Sequence, residues 1–159
     1  MNIQRDFKEF IELLNANRVK YLVVGGYAVS FHSQPKLTQD IDFWIGTGKQ
    51  NARRVLHVLK EFGFGSLDIT FDDLTKPDMV IQLGNPPMRI DLITAISGVN
   101  FSEAYTNRII GNYFGVRIAF INKVDLIKNK QSTGRKKDLY DIEWIKKYSK
   151  SEKRFNRGK

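Results

Sequence analysis

Cysteine is absent from the 159-residue chain, which excludes a disulfide framework and any metal site built on thiolates. Long apolar runs are absent as well. The opening stretch MNIQRDFKEFIELLNANRVK is broken throughout by charges, and no later run approaches the roughly 20 residues a bilayer crossing needs. A soluble, cytoplasmic protein with no membrane partner is the expectation. Internal repeats, low-complexity tracts and a recognisable linker are also missing, and the length suits one domain over 1–159. With 42% hydrophobic and 12% aromatic residues, that domain has enough apolar side chains to bury a core.

The net charge of +9 is unevenly spread. Residues 1–122 hold 13 Lys/Arg against 12 Asp/Glu, whereas residues 123–159 hold 13 against 5. An excess concentrated in the last quarter points to a polyanionic partner, either nucleic acid or nucleotide phosphates, or to a solvated basic tail.

Hydrophobic periodicity gives the elements. Phe7, Phe10, Ile11 and Leu14 recur at helical spacing. YLVVGG reads as a buried strand ending in a tight turn, YAVSFH as a helix after the glycines, QPKLTQ as a loop and IDFWIG as a strand. A helix follows over 50–62, ITFDDLTK is ambiguous, and MVIQLG and MRIDLIT form a hairpin around GNPP. NFSEAYTN reads as a short helix, and NYFGVRIAFI as strand. INKVDLIKNKQ and RKKDLYDIEWIKKY are two helices, the second with a Leu139, Ile142, Ile145 stripe. The class is α+β, a small mixed sheet flanked by helices with a helical C-terminal segment.

The chemistry concentrates in the carboxylates. Side chains alternate along a strand, so Asp40 and Asp42 point the same way a few ångströms apart. Two carboxylates on one apolar strand repel unless a cation lies between them, and Mg2+ is a hard ion that takes oxygen ligands. Asp91, between Ile90 and Leu92, adds a third carboxylate if its strand is a neighbour, and three can support two metal ions. Gly25 and Gly26 allow the main chain to approach a phosphate closely, and a helix starting there would aim free N–H groups at it.

These motifs, in this order, resemble the DNA polymerase beta-type nucleotidyltransferase superfamily. Its signature of an apolar residue, Gly, and Gly or Ser corresponds to Val24, Gly25 and Gly26. Its apolar-flanked D-x-D corresponds to Asp40 and Asp42, and its third carboxylate to Asp91. The chain is further similar to short proteins related to the toxin of abortive-infection type IV systems. These carry His-Gly-x-x-Arg-x-Thr before the D-x-D, here His32, Ser33, Lys36 and Thr38. They also carry a late Lys with Arg-x-x-Asp, here Lys130, Arg135 and Asp138. Lys36 keeps the charge of the usual Arg but lacks its planar fork.

The resemblance implies a nucleotidyltransferase fold, with 1–121 as the catalytic α/β core, 122–149 as C-terminal helices and 150–159 as a basic tail. It implies an enzyme moving an NMP from an NTP, ATP included, to a hydroxyl acceptor. Asp40, Asp42 and Asp91 would hold two Mg2+ ions (or Mn2+), and Gly25, Gly26, Thr38, Lys130 and Arg135 would face the nucleotide. The acceptor would be tRNA or another RNA end, which the basic last quarter favours, or else a protein side-chain hydroxyl or a small molecule of the aminoglycoside kind, and an antitoxin protein would restrain a toxin activity. A binding module that kept the fold and lost turnover is the rival reading. DIDFWIG as the nucleophile strand of a haloacid-dehalogenase-like phosphatase is disfavoured, because polar KLTQ precedes it. His32, Asp138 and Asp141 read as structural, the aspartates as partners of Arg135, Lys136 and Lys137 at helical spacing. Phe43, Trp44, Phe64 and Tyr113 read mainly as core.

Overall fold

In the computed structural model, residues 3–157 are described except Ser66, Pro86 and Met88, and from Lys150 onward the backbone alone is described. The side chains of the expected basic tail therefore lie outside the described residues, as does part of the GNPP turn.

Helix α1 (Ile3–Ala16) buries Phe7, Phe10, Ile11 and Leu14, the stripe its periodicity predicts. Strand β1 (Tyr21–Val24) is buried along its whole length and runs directly into α2 (Gly25–His32), so both glycines belong to the helix rather than to a turn before it. Strand β2 (Asp40–Ile45) sends Ile41, Phe43 and Ile45 into the core, where the Phe43 ring meets Phe10 at 5.5 Å. Helix α3 (Lys49–Phe62) packs beside α1 and stops at Gly63, whose φ of 98° closes the helix in the left-handed conformation.

The ambiguous ITFDDLTK forms a short helix, α4 (Phe71–Thr75). Thr70 and Asp73 make a reciprocal capping box there, a local signal that outweighs the mixed composition. Strands β3 (Val80–Leu83) and β4 (Arg89–Ile93) pair antiparallel as expected, and α5 (Phe101–Thr106) follows, capped by Asn100. NYFGVRIAFI is not one strand. It spans the end of the first arm, the turn and the second arm of a hairpin between β5 (Ile109–Tyr113) and β6 (Val116–Phe120). Phe114 and Gly115 form its two-residue turn with φ of 48° and 91°, the twist a tight hairpin requires.

The sheet order is β3-β4-β2-β1-β6-β5, with β2/β4 and β1/β6 parallel and the remaining pairs antiparallel. This is the mixed sheet flanked by helices that the sequence predicts. Helix α6 (Lys123–Thr133) ends at Gly134, and α7 (Lys136–Arg157) packs against α6 and α2. Leu139 departs from the expected α7 stripe: it is exposed, while Asp138, Asp141, Ile142 and Ile145 are buried. The inward face of α7 is thus half ionic.

Candidate active site

The parallel pairing of β2 with β4 places Asp42 directly beside Asp91, and Asp40 beside Arg89. Alternation then brings all three carboxylates together, each offering an oxygen within 4.8 Å of the others. Asp91 is buried, and Asp40 and Asp42 are partly exposed. Burial, with the charges of Asp40 and Asp91 beside it, pushes the Asp42 carboxyl up to about 8. Such crowding is costly in apolar surroundings, and a divalent cation among the three would remove its cause. The donor set consists of hard oxygens, as Mg2+ or Mn2+ requires. The residues fit such an ion.

Arg89 is the feature the sequence reading passed over. Its Nε and Nη2 donate to the two oxygens of Asp91 at 3.1 and 3.0 Å, and Nη2 also lies 3.4 Å from Asp40. Arg-x-Asp in a strand puts both side chains on one face, which is the signal that could have found it. The bidentate fork fixes the Asp91 rotamer.

Gly25 sits against the carboxylates at φ 68°, and a Cβ there would stand 2.1 Å from Asp42 Oδ2. A Cβ on Gly26 would stand 2.7 Å from Thr38 Oγ1. Both glycines are therefore needed for close approach, and the first also for its backbone conformation. The first turn of α2 carries no acidic residue, so its N–H groups and dipole remain available to an anion. Thr38 Oγ1 donates to the Asp40 carbonyl at 3.3 Å and ties the loop to the start of β2.

A cleft of about 200 Å³ runs from Gly25, Gly26, Asp40 and Asp42 to Lys36, Lys130 and Arg135. Its far wall is an ion network. Lys130, buried, donates to Asp138 at 3.0 Å and lies 3.1 Å from Asp141, and Lys36 reaches Asp141 at 2.5 Å. Asp138 also accepts from Thr133 and, at 2.7 Å, from Arg135 Nε. Burial alone would raise the Asp138 carboxyl, but these donors outweigh it and hold the group at about 2. Both aspartates form ion pairs, as expected, but their partners differ. Arg135 is one of them, whereas Lys36 and Lys130 take the place of Lys136 and Lys137. Lys130 is thus committed to two carboxylates, whereas the Arg135 side chain is 70% exposed and keeps donors to spare. His32 is buried away from the carboxylates, its Nε2 2.6 Å from the Ile121 carbonyl, a structural contact between α2 and the end of β6.

Comparison with known proteins bears on this arrangement. The structure is similar to that of the lincosamide antibiotic adenylyltransferase LnuA bound to lincomycin, with a TM-score of 0.59 at 17% identity, covering 89% of this chain and 95% of that one. It is also similar to an antigenic nucleotidyltransferase-like protein from Paracoccidioides brasiliensis, with a TM-score of 0.54 at 15% identity, covering 90% of this chain and 75% of that one. At these identities the likeness establishes the fold. No curated protein matches by sequence. A family model described as a nucleotidyltransferase of unknown function (DUF6036) matches residues 2–149, and the chain belongs to that nucleotidyltransferase family.

Proposed function

We propose that the chain transfers a nucleoside monophosphate from an NTP to a hydroxyl acceptor in a divalent-metal-dependent reaction. The observation that carries this reading is the β2/β4 register, which joins Asp40, Asp42 and Asp91 beside the glycine-led start of α2. Mg2+ held by the three carboxylates would acidify the acceptor hydroxyl and offset charge on the triphosphate. The acceptor oxygen bonds to the α-phosphorus, the bond from that phosphorus to the α–β bridging oxygen breaks, and pyrophosphate leaves with the electron pair.

The chain's own residues orient and neutralise. Gly25 and Gly26 supply main-chain donors to the phosphates, and the free donors of Arg135 face the departing pyrophosphate. Lys130 supports them indirectly, by fixing Asp138 and Asp141 on α7. Arg89 grips both oxygens of Asp91 and fixes the carboxylate's orientation toward the other two. Asp91 would hold the catalytic metal and help draw the proton from the acceptor hydroxyl as its oxygen bonds to phosphorus. The cleft is small for a whole nucleotide, so it suits the triphosphate, with the nucleoside lying outside it.

An RNA end, such as that of tRNA, is the acceptor this reading favours, since the chain is strongly basic. A small-molecule hydroxyl is the second reading, supported by the nearly full-length overlap with an adenylyltransferase of lincosamides. A toxin role, with an antitoxin restraining it, follows from the resemblance to the abortive-infection type IV proteins. Expression arresting growth, with Asp42→Ala relieving the arrest, is its expected signature.

The test is incubation with each α-labelled NTP, Mg2+ and a panel of total tRNA, the protein itself and aminoglycoside or lincosamide acceptors. Label should pass to one acceptor and Asp42→Ala should abolish it. Tight Mg–NTP binding with no transfer to any acceptor would instead favour a binding module.

A further inference from the structure

Residues 1–122 are nearly neutral in sum, but the fold does not mix their charges. Two adjoining hollows open beside β1, away from the carboxylates. The smaller, about 360 Å³, lies where β1 and β6 part company. Their ladder has a single register pair, Val23 with Phe120, and the Ala119 amide next to it donates to the Tyr21 hydroxyl at 3.3 Å. The larger hollow, about 650 Å³, lies between the start of α3 and α5. Lys20, Arg54 and Tyr105 line both, so the two make one continuous groove.

Six cations line this groove: Arg18, Lys20, Arg54, Arg108 and Arg117 in the first hollow, and Lys49 in the second, where Lys20 and Arg54 recur. Among the described residues, no Asp or Glu lines either part. Among the described residues, none of the six forms an ion pair with a carboxylate. Unbalanced like charge at this density opposes folding. A merely solvating face would let such side chains spread into water.

Here several are held in place instead. Arg54 Nη1 donates to the Arg18 carbonyl at 3.1 Å, and Arg108 Nη1 donates to the Tyr105 carbonyl at 2.9 Å. The Arg108 guanidinium lies 4.1 Å from the Tyr105 ring centre, and Lys20 Nζ lies 5.7 Å from the same centre. Phe101 stacks on Tyr105 at 5.6 Å, and the Trp44 indole supports Phe101 from the core. The cations are thus preorganised on an aromatic pillar rooted in β2.

We infer that this groove binds the sugar-phosphate backbone of a single-stranded nucleic acid. Six cations spread through two hollows exceed what one phosphate or one nucleotide would neutralise, and they suit a ligand with repeated, spaced negative charges. The recessed shape, under α5 and between strands, favours a thin strand over a duplex or a flat membrane surface. The Lys20 carbonyl accepts from Gly46, four residues along β2 from Asp42, which sets the near end of the groove roughly 13 Å from the carboxylates. An extended strand spans that distance and would lead its terminal hydroxyl toward Asp40 and Asp42. This last step rests on the transferase reading, while the binding itself does not.

The test is fluorescence anisotropy with labelled 12-nucleotide single-stranded RNA and DNA, without NTP or metal, across a KCl series. Wild type should bind at least one of them, and the two arms identify the sugar. Arg108→Gln with Arg117→Gln should weaken binding about tenfold or more and flatten the salt slope by about 1.4, near 0.7 for each lost phosphate contact. Arg18→Gln with Lys49→Gln, both at exposed positions, gives the same readout should the first pair unfold. Lys146→Gln with Lys147→Gln, exposed on α7, removes equal charge and should change binding less than twofold.

Equal losses in the α7 pair and the groove pairs would overturn the inference. So would tighter binding of inorganic polyphosphate or phosphatidylserine vesicles than of either oligonucleotide, or binding of neither strand. Label transfer without strand binding would sink the groove and spare the transferase reading; strand binding without transfer would do the reverse.

Discussion

The two sides of the sheet treat like charge in opposite ways. On β2 and β4, three carboxylates share less than 5 Å of space, and the fold supplies its own cation, Arg89, which spans two of them. Around β1 and β6, six cations share a groove and, among the described residues, none is paired with a carboxylate. The first arrangement leaves one group, Asp42, with its charge strongly opposed, a local and concentrated cost. The second spreads its cost over many exposed side chains. A concentrated cluster suits small multivalent cations, and a spread one suits a long anion. A substrate that carries both ions and backbone would draw on the two sides at once.

The largest way to break this pairing is Asp42→Asn. NMP transfer should fall by about a thousandfold or more, while strand binding in the groove stays at the wild-type level. The thermal midpoint without metal should rise, because a repulsive charge has gone. Label-transfer rates, anisotropy and melting curves check the three parts.

Gly25→Ala should come next, since it forces an L-residue into φ 68° and a methyl onto Asp42 Oδ2. A loss of about 2–3 kcal/mol is expected, read as a midpoint drop of roughly 5–10 °C. A wild-type midpoint would show that the start of α2 is not seated against the carboxylates.

The α7 ion network gives a pH test of intermediate size. The folded-state Asp138 carboxyl sits at about 2, below its ordinary 3.8. Its contribution is therefore full above pH 3.8 and is lost as pH falls through about 2, on the order of 2 kcal/mol in all. Urea unfolding between pH 5 and 2 should show a shallower acid limb for Asp138→Asn than for wild type.

The smallest effect sharpens the contrast between compensated and uncompensated charge. Arg89→Gln should lower transfer about tenfold, the usual scale for a residue that orients a metal ligand, and should leave strand binding unchanged. Steady-state kinetics should place the loss in kcat, with KM for the NTP nearly constant.

What could be read from sequence followed the range of the interaction. Asp40 and Asp42 were legible because strand alternation is local, and the Val24-Gly25-Gly26 run was legible because it abuts them. Asp91 became a partner only through the β2/β4 register, which no local pattern specifies. The hairpin at Phe114 was hidden because Phe is an unusual residue at positive φ, where Asn or Gly would have announced the turn. Asp138 and Asp141 looked like surface partners of neighbouring lysines, yet Asp141 pairs with Lys36 from 105 residues away. The groove was least legible of all. Its cations come from scattered segments, one or two from each, that only the fold brings together, while the charge excess visible in the sequence lies in the last quarter, on α6 and α7.

The most direct test of the central claim is transfer of α-label from NTP to an acceptor in Mg2+, comparing wild type with Asp42→Asn and with Asp91→Asn. The carboxylate cluster predicts transfer by wild type, loss of it by both variants, and loss on chelation of the metal. Transfer that survives Asp91→Asn at the wild-type rate would contradict it, because the β2/β4 register would then join residues that do not act together.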